Sequence, residues 1–234
     1  MRILFCDDVR QISEQYEQIL SDIIAKHKIT PVVFEFYESG IELLKASDVI
    51  NGDILFLDIH MPEQDGMEVA RKLRAKGYQG EIIFLTVSKK HILDAFDVDA
   101  FNYLIKQEVD YQRIEKVFLE AYERITEKNR KYITLSRGGH ILNVPIDSIS
   151  YFEMKNRIIN VHYNEGDVFA FYSTMDKVEH MLRQEGFIRV HRAYIVAVNR
   201  IVKDENGKVI YLSDGERIPI GLIYAKNYRD ALEG

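Results

Sequence analysis

The first 128 residues alternate between short apolar runs and segments in which apolar residues recur at helical spacing. Short apolar runs are typical of strands that are buried on both faces of a sheet. Five such runs occur, at residues 3–6, 32–36, 54–57, 82–85 and 102–105. Helical spacing is clearest from Ile12 to Ile23 and from Ile114 to Ile125. Five alternations of strand and helix predict an α/β fold, with a parallel sheet covered by helices on both faces.

After Tyr132 the pattern changes to short strand-like runs separated by turn signals such as Asn206-Gly207 and Asp214-Gly215. The runs at residues 149–154, 158–163, 168–172 and 209–212 predict a mostly β domain. One internal helix is expected after Ser173, the predicted N-cap, and a short helix over residues 224–232. We therefore predict an α/β domain over residues 1–126, a linker over 127–131 and a mostly β domain over 132–234.

Length and charge agree with two domains of different character. The chain has 234 residues and no apolar run long enough to cross a bilayer, so we expect a cytoplasmic protein. Residues 1–130 carry 17 Lys and Arg against 24 Asp and Glu, a net charge of −7, whereas residues 131–234 carry 14 against 13, a net charge of +1. The second half is the better candidate for contact with a polyanion, although a neutral domain without such a partner would have the same charge.

Polar residues follow four of the five predicted strands. Asp7 and Asp8 come after the first strand and Asp58 after the third. Because the carboxyl ends of parallel strands meet at one edge of the sheet, we expect these three carboxylates to lie together. Their mutual repulsion calls for a cation, and oxygen ligands suit Mg²⁺.

Thr86 follows the fourth strand and Lys106 the fifth, at the same edge of the sheet. An ammonium and a hydroxyl there would neutralise the oxygens of a phosphoryl group, so that Asp58 could act as a nucleophile toward phosphorus and form an aspartyl phosphate. Any one of these residues could be a turn or a helix cap. The joint placement of all five favours the phosphoryl site.

These residues resemble the receiver domain of two-component response regulators over about residues 1–125. The motifs are Asp7-Asp8, the segment from Leu57 to Pro62 followed by Asp65-Gly66, Thr86, and the segment from Phe101 to Lys106. The resemblance implies a flavodoxin-like fold with strand order 2-1-3-4-5, a sensor histidine kinase as phosphoryl donor, and autodephosphorylation with Mg²⁺. It also implies that Thr86 moves toward the phosphoryl group and that Tyr103 changes rotamer. A plain core role for Tyr103 remains the alternative.

Two residues depart from the receiver pattern. Gln107 follows Lys106 where receivers usually have proline, so the cis peptide bond expected there is in question. His60 lies two residues after the acceptor and could change how fast the phosphoryl group is lost. Both departures leave the essential groups in place.

Residues 131–234 resemble the LytTR DNA-binding domain, which inserts loops into successive major grooves. The resemblance rests on residues 149–157, 169–173, 187–196 and 218–220. Two predicted turns offer donors for phosphates and base edges. The candidate DNA contacts are Lys155, Asn156, Arg157, His191 and Arg192, with Arg200, Lys203 and Lys226 as further backbone contacts. Solvated turns, and a structural role for His191, are the alternatives. Ala193, Ala197 and Gly221 replace residues that are commonly polar in such domains.

The two resemblances together imply a transcription regulator and not a dedicated enzyme. Phosphorylation of Asp58 would change the face formed by the fourth helix and the fifth strand, and would pair two chains as a homodimer on a promoter with repeated sites. One alternative is an adaptor whose β domain binds protein or RNA. Another is a phosphohydrolase like the haloacid dehalogenases, but those enzymes need a second acid two residues after the nucleophile, where this chain has His60.

Overall fold

The computed structural model describes residues 1–233, and side chains through residue 232. The chain divides into two compact units, one of residues Met1–Asn129 and one from Arg130 onward. Each helix within the described residues is too short or too polar to cross a membrane. The two units are taken separately below.

The first unit is a five-stranded parallel sheet with helices on both faces. The strand order is β2-β1-β3-β4-β5, which confirms the predicted fold. Its elements are β1 (Arg2–Cys6), α1 (Arg10–His27), β2 (Val33–Tyr37), α2 (Gly40–Lys45), β3 (Ile54–Leu57), α3 (Gly66–Ala75), β4 (Glu81–Thr86), β5 (Asn102–Ile105) and α4 (Tyr111–Lys128).

Alternate residues of the central strands supply two apolar layers. In β1, Leu4 packs into the layer that contains Leu43 of α2 and Leu73 of α3. The preceding residue, Ile3, packs into the opposite layer, with Phe118 of α4. Since β1, β3 and β4 are buried on both faces, their sequences read as continuous apolar runs, and the sheet fixes where each of them ends.

The prediction of an α-helix between the fourth and fifth strands was wrong. In the described chain, β4 and β5 are connected through a 3₁₀ turn, Asp94–Val98, where we expected an α-helix. Two large apolar side chains of this connection, Leu93 before the turn and Phe96 within it, are 78% and 77% exposed. Only the small side chains Ala95 and Val98 of the turn are buried, in the layer that contains Leu73, so one tight turn is enough to cover this part of the sheet.

The second unit is mostly β, as predicted. A five-stranded antiparallel sheet has the order β10-β9-β8-β12-β11, a three-stranded sheet has the order β13-β14-β15, and β6 and β7 form a hairpin. The elements are β6 (Tyr132–Arg137), β7 (His140–Pro145), β8 (Ile149–Lys155), β9 (Ile158–Tyr163), β10 (Asp167–Phe171), α5 (Met175–Met181), β11 (Phe187–His191), β12 (Tyr194–Ala197), β13 (Ile201–Glu205), β14 (Val209–Leu212), β15 (Arg217–Pro219) and α6 (Ala225–Glu233).

Neighbouring residues of β8 face two different cores. Phe152 packs with Val178 of α5, whereas Tyr151 packs with the buried Tyr228 of α6. The predicted N-cap of α5 was one residue too early. Thr174 caps this helix, because its hydroxyl oxygen accepts the Lys177 backbone N–H at 3.3 Å.

Candidate functional site

Backbone pairing brings the predicted acidic residues to one edge of the parallel sheet. Asp58 directly follows β3, and its N–H donates to the carbonyl oxygen of Cys6 at 2.8 Å. Lys106 directly follows β5, and its N–H donates to the carbonyl oxygen of Thr86 at 2.9 Å. These bonds extend the sheet by one residue beyond the strands, so the side chains of Asp7, Asp58 and Lys106 emerge side by side.

The Lys106 ammonium joins two carboxylates. Its Nζ lies 2.6 Å from Asp7 Oδ2 and 3.0 Å from Asp58 Oδ2. Asp7 and Asp58 are each 5% exposed, whereas Asp8 is exposed. One carboxylate oxygen from each of the three aspartates lies within 4.8 Å of the others. The predicted cluster is therefore assembled in the unphosphorylated protein.

Burial and charge oppose each other in this cluster. Burial raises the pKa of Asp7, and the hydrogen bond from Lys106 offsets this only in part. Burial also disfavours the Lys106 ammonium, but hydrogen bonds to Asp7 and Asp58 outweigh it and raise the pKa of Lys106. Lys106 therefore stays charged at neutral pH, and the carboxylates still exceed it in number.

The segment after β3 fixes the orientation of Asp58. Its Oδ1 accepts the backbone N–H groups of Ile59 at 2.7 Å and His60 at 3.3 Å. Gly66 then brings the chain against Asp58, since a Cβ at Gly66 would lie 2.0 Å from the Asp58 carbonyl oxygen. Asp65 caps α3 through the N–H of Met67 at 2.7 Å. The acceptor side chain is thus held before any phosphoryl group arrives.

Thr86 and Tyr103 lie beside the cluster, and their hydroxyl groups differ in hydrogen bonding. Thr86 is fully buried, and its hydroxyl has no hydrogen-bond partner among the described residues. Tyr103 is half-buried on β5, and its hydroxyl donates to the carbonyl oxygen of Ser88 at 2.6 Å. Burial raises the pKa of Tyr103. The unsatisfied Thr86 hydroxyl is therefore available to an acceptor that enters the site.

In the second unit, two of the predicted contact turns lie at the same end of the five-stranded sheet. Residues 156–157 form the turn between β8 and β9, and the side chains of residues 155–157 are all exposed. Residues 192–193 connect β11 to β12. Because β12 pairs antiparallel with β8 through Tyr194 and Glu153, the start of β12 lies beside the end of β8. Arg192 is exposed at this end.

His191 has a structural contact of its own. Its Nδ1 accepts the backbone N–H of Ala193 at 3.2 Å, which closes the turn. Burial, and to a lesser extent the neighbouring Arg192, lower the pKa of His191. The imidazole is thus neutral at pH 7, and Arg192 supplies the charge of this turn.

Family models match both units of the chain. Residues 3–118 match the response regulator receiver domain, and residues 139–233 match the LytTr DNA-binding domain. The chain is a LytTR-family response regulator. Both expected resemblances are therefore confirmed.

Two relatives align with most of this chain. The sensory transduction protein LytT of Bacillus subtilis (strain 168) is 29% identical over 194 residues, which cover 77% of this chain and 79% of that protein. The transcriptional regulatory protein YpdB of Escherichia coli (strain K12) is 25% identical over 232 residues, with 92% and 94% of the two chains covered. A solved LytTr DNA-binding domain from Bacillus cereus is 27% identical with a TM-score of 0.40, over 45% of this chain and all of that one.

The receiver residues fit Mg²⁺. The donor set consists of three carboxylates that approach one another within 4.8 Å, and hard oxygen ligands are those that Mg²⁺ prefers. The bare cluster carries three carboxylates against one ammonium, so a divalent cation would balance the charge. Receiver domains bind Mg²⁺ at such an acidic pocket.

The remaining candidates of the LytTR domain are more dispersed. Arg200 lies near the opposite end of the sheet, where its Nη2 donates to the carbonyl oxygen of Asp147 at 3.1 Å. The structure thus does not bring Arg200 together with the two turns. Lys203 is exposed on β13, with its ammonium 5.2 Å from the ring centroid of Tyr211. Lys226 is exposed in the first turn of α6.

Sequence reasoning missed the surroundings of the receiver site. Ser88 was not singled out, although its carbonyl oxygen holds the Tyr103 hydroxyl. His91 was also missed; its ring centroid lies 6.1 Å from that of His60, and its Nδ1 lies 2.9 Å from Asp94. The acceptor at Ser88 is a backbone carbonyl oxygen, which any residue type would supply, so the sequence gives no indication of this hydrogen bond. The Lys106–Gln107 peptide bond is trans.

Proposed function

We propose that Asp58 accepts a phosphoryl group from a phosphohistidine of a sensor histidine kinase, and that this controls DNA binding by the LytTR domain. The observation that carries the proposal is the contact of the Lys106 ammonium with both Asp7 and Asp58, which are 99 and 48 residues away in sequence. A pocket of this composition fits phosphoryl transfer to a carboxylate. We place this activity in the cytoplasm.

In the transfer step, a carboxylate oxygen of Asp58 forms a bond to phosphorus while the phosphorus–nitrogen bond of the phosphohistidine breaks. The electron pair of that bond stays on the imidazole nitrogen, which takes up a proton as needed. Asp7, Asp8 and Asp58 would hold Mg²⁺, whose charge would neutralise phosphoryl oxygens. Lys106 would supply a second positive charge, and attack of water on phosphorus would later release phosphate and restore Asp58.

The switch would begin at Thr86. Its buried hydroxyl would donate to a phosphoryl oxygen and so gain the partner that the unphosphorylated protein does not supply. Movement of Thr86 toward the site would leave space for Tyr103 to turn inward and release Ser88. This rearrangement would alter the surface that carries Leu93 and Phe96, which are 78% and 77% exposed. We propose that this surface pairs two chains as a homodimer.

Pairing would bring two LytTR domains to a promoter with repeated sites and raise their effective concentration on DNA. The exposed residues 155–157 and Arg192 support major-groove contact, because basic and amide side chains lie together at one end of the sheet. Lys203 and Lys226 would contact phosphates. We retain residues 127–131 as the proposed linker, which includes the boundary between the two units.

The phosphoryl acceptor is tested by labelling with a phosphorylated histidine kinase or acetyl phosphate. We expect wild type to take up label in the presence of Mg²⁺ and Asp58→Ala to take up none. Asp22→Ala removes an exposed carboxylate of α1 and serves as the control. Equal labelling of Asp58→Ala and wild type would show that the acceptor is another residue.

The output is tested by selecting duplexes from a random library with labelled protein. We expect binding to fall steeply as salt rises, because phosphate contacts release counterions. We also expect Arg192→Ala to weaken binding more than Arg200→Ala, since only Arg192 is exposed beside the 155–157 turn. If labelled protein prefers no duplex, an adaptor that binds protein or RNA becomes the better explanation.

A further inference from the structure

Two adjacent apolar side chains are unusually exposed in the LytTR domain. Leu222 is 96% exposed and Ile223 is 80% exposed, in the connection between β15 and α6. Among the described residues, Leu222 is the most exposed large apolar side chain. Full burial of such a side chain is worth roughly 1.5–3 kcal/mol, so a partner that covers both would gain a large apolar contribution. Neighbouring exposed apolar residues of this kind mark contact surfaces.

The backbone that carries this pair is fixed to the sheet. The N–H of Gly221 donates to the carbonyl oxygen of Val190 at 2.8 Å, and the N–H of Tyr224 donates to the carbonyl oxygen of Gly221 at 2.8 Å. After the turn, Tyr228 of α6 is 1% exposed and anchors the helix in the core. The apolar pair is therefore presented on an ordered turn and not on a free segment.

A cation from β11 also holds the turn. The Arg189 guanidinium lies 5.4 Å from the ring centroid of Tyr224. Arg189 also bonds Asp176 and Glu179, the latter at 3.0 Å. Because its charge is balanced by two carboxylates, we assign Arg189 to positioning the turn and not to binding phosphate.

The turn lies at the same end of the domain as the basic turns. A Cβ at Gly221 would lie 3.2 Å from Cδ2 of His191, so Gly221 packs against this residue. Leu222 is the next residue after Gly221 and therefore lies close to His191 and Arg192. The β8–β9 turn, with Lys155 and Arg157, lies at this end of the sheet as well. Exposed basic side chains, Arg192 and Lys226, thus lie on the two sides of the apolar pair along the chain and the fold. The carboxylates of Asp176 and Glu179 near Tyr224 are, by contrast, engaged by Arg189.

We propose that Leu222 and Ile223 contact the 5-methyl groups of thymines in the major groove, and so direct this regulator toward particular thymine positions. The proposal rests on the proposed DNA-binding function. Thymine is the base that presents a methyl group in the major groove, and apolar side chains recognise it there. Exposed Arg192 and Lys226 complement the phosphates on either side, which favours DNA over an apolar protein partner.

The test uses duplexes selected with the full-length phosphorylated protein, together with copies in which single thymines are replaced by deoxyuridine. Deoxyuridine pairs like thymine but lacks the methyl group. For wild type we expect at least one position at which replacement weakens binding about four-fold, the effect of one buried methyl-sized group. Other positions should show little change.

The double variant Leu222→Ala/Ile223→Ala should bind the thymine duplex at least as weakly as wild type binds the deoxyuridine duplex, because it loses the apolar surface of both side chains. It should show no further loss when deoxyuridine is introduced at the sensitive position. Val168→Ala, which shortens a 54% exposed side chain toward the other end of the sheet, is the control and should retain the wild-type response. Thermal unfolding of the double variant should match wild type, because both replaced side chains are exposed.

Three outcomes would overturn the inference. If wild type binds DNA but no deoxyuridine replacement weakens binding, the protein makes no contact with a thymine methyl group. A double variant that keeps the wild-type sensitivity shows that another residue makes the contact. Wild type that prefers no duplex contradicts the DNA-binding function itself, and the methyl contact with it; this result is distinct from the first two, in which DNA binding persists.

Discussion

The ammonium nitrogen of Lys106 lies 3.0 Å from Oδ2 of Asp58, although the two residues are 48 positions apart. The same nitrogen lies 2.6 Å from Asp7, so one cation links the ends of three strands. Three carboxylates nevertheless share this single ammonium. The pocket therefore has an excess of negative charge that suits Mg²⁺ and a phosphoryl group, at a cost to the stability of the metal-free protein.

Asp7→Asn should stabilise the metal-free protein at neutral pH, by about 1 kcal/mol. Burial raises the pKa of Asp7, so the folded state holds its proton more tightly than the unfolded state, and stability falls as pH rises through the folded pKa. At pH 7 the charged form opposes folding, and the amide removes that opposition. Urea unfolding in chelator measures the effect, with the exposed Asp22→Asn as control. A loss of stability in Asp7→Asn would contradict this account.

Mg²⁺ should stabilise wild type more than Asp7→Asn, because the variant has lost one of the three carboxylates. The measurement is the rise in melting temperature between chelator and millimolar Mg²⁺. Asp22→Asn should respond as wild type does. An equal rise in Asp7→Asn would remove Asp7 from the metal ligands.

Thr86→Val should leave the stability of the unphosphorylated protein within about 1 kcal/mol of wild type, because the buried hydroxyl has no partner to lose. Acetyl phosphate should still label Asp58 in this variant, but the label should no longer increase dimer formation or DNA binding. Sedimentation with and without acetyl phosphate measures the response. A phosphorylated Thr86→Val protein that dimerises normally would show that the hydroxyl does not carry the switch.

The sequence could predict the receiver site because its residues lie at the carboxyl ends of strands that read as short apolar runs. Runs such as residues 54–57 show where the strands end, and the rule for parallel sheets then brings Asp58, Lys106 and Asp7 together. The connection from β4 to β5 could not be predicted in the same way. Leu93 and Phe96 are spaced as in a helix but remain exposed, and tertiary packing, which a local pattern does not contain, decides between an α-helix and a 3₁₀ turn.

The DNA-contact candidates show the same limit. Arg192 and the 155–157 turn could be chosen from turn signals and charge. Arg200 has the same residue type as Arg192, but antiparallel pairing places it beside Asp147, away from the turns. Leu222 and Ile223 gave no signal, because apolar residues near a strand end are usually buried. Only the folded chain shows that they are exposed.

Gly66→Ala should lower stability by about 2 kcal/mol or more and reduce labelling of Asp58, since a Cβ would lie 2.0 Å from the Asp58 carbonyl oxygen. The clash is with backbone, so relief requires movement of the acceptor segment itself. Gly77→Ala is the matched control: Gly77 has a φ of 91° but open space around its Cβ position, so only conformational strain of about 1 kcal/mol is expected there, with labelling unchanged. Equal effects of the two substitutions on labelling would contradict a specific role for Gly66.

His162→Phe should reduce the loss of stability between pH 7 and pH 5. The His162 ring stacks on Tyr151, with centroids 4.0 Å apart, and burial lowers the pKa of His162 even though Glu153, Asp214 and Glu216 face it. The unfolded state therefore binds the proton more readily, so this contribution to stability is complete above the unfolded pKa of about 6.5 and is lost as pH falls toward the folded pKa. Phenylalanine keeps the stacked ring and removes the titration. Urea unfolding of the full chain at pH 7 and pH 5 measures the difference, with the exposed His140→Phe as control. If His162→Phe lost as much stability as wild type over this interval, protonation of His162 would not be its source.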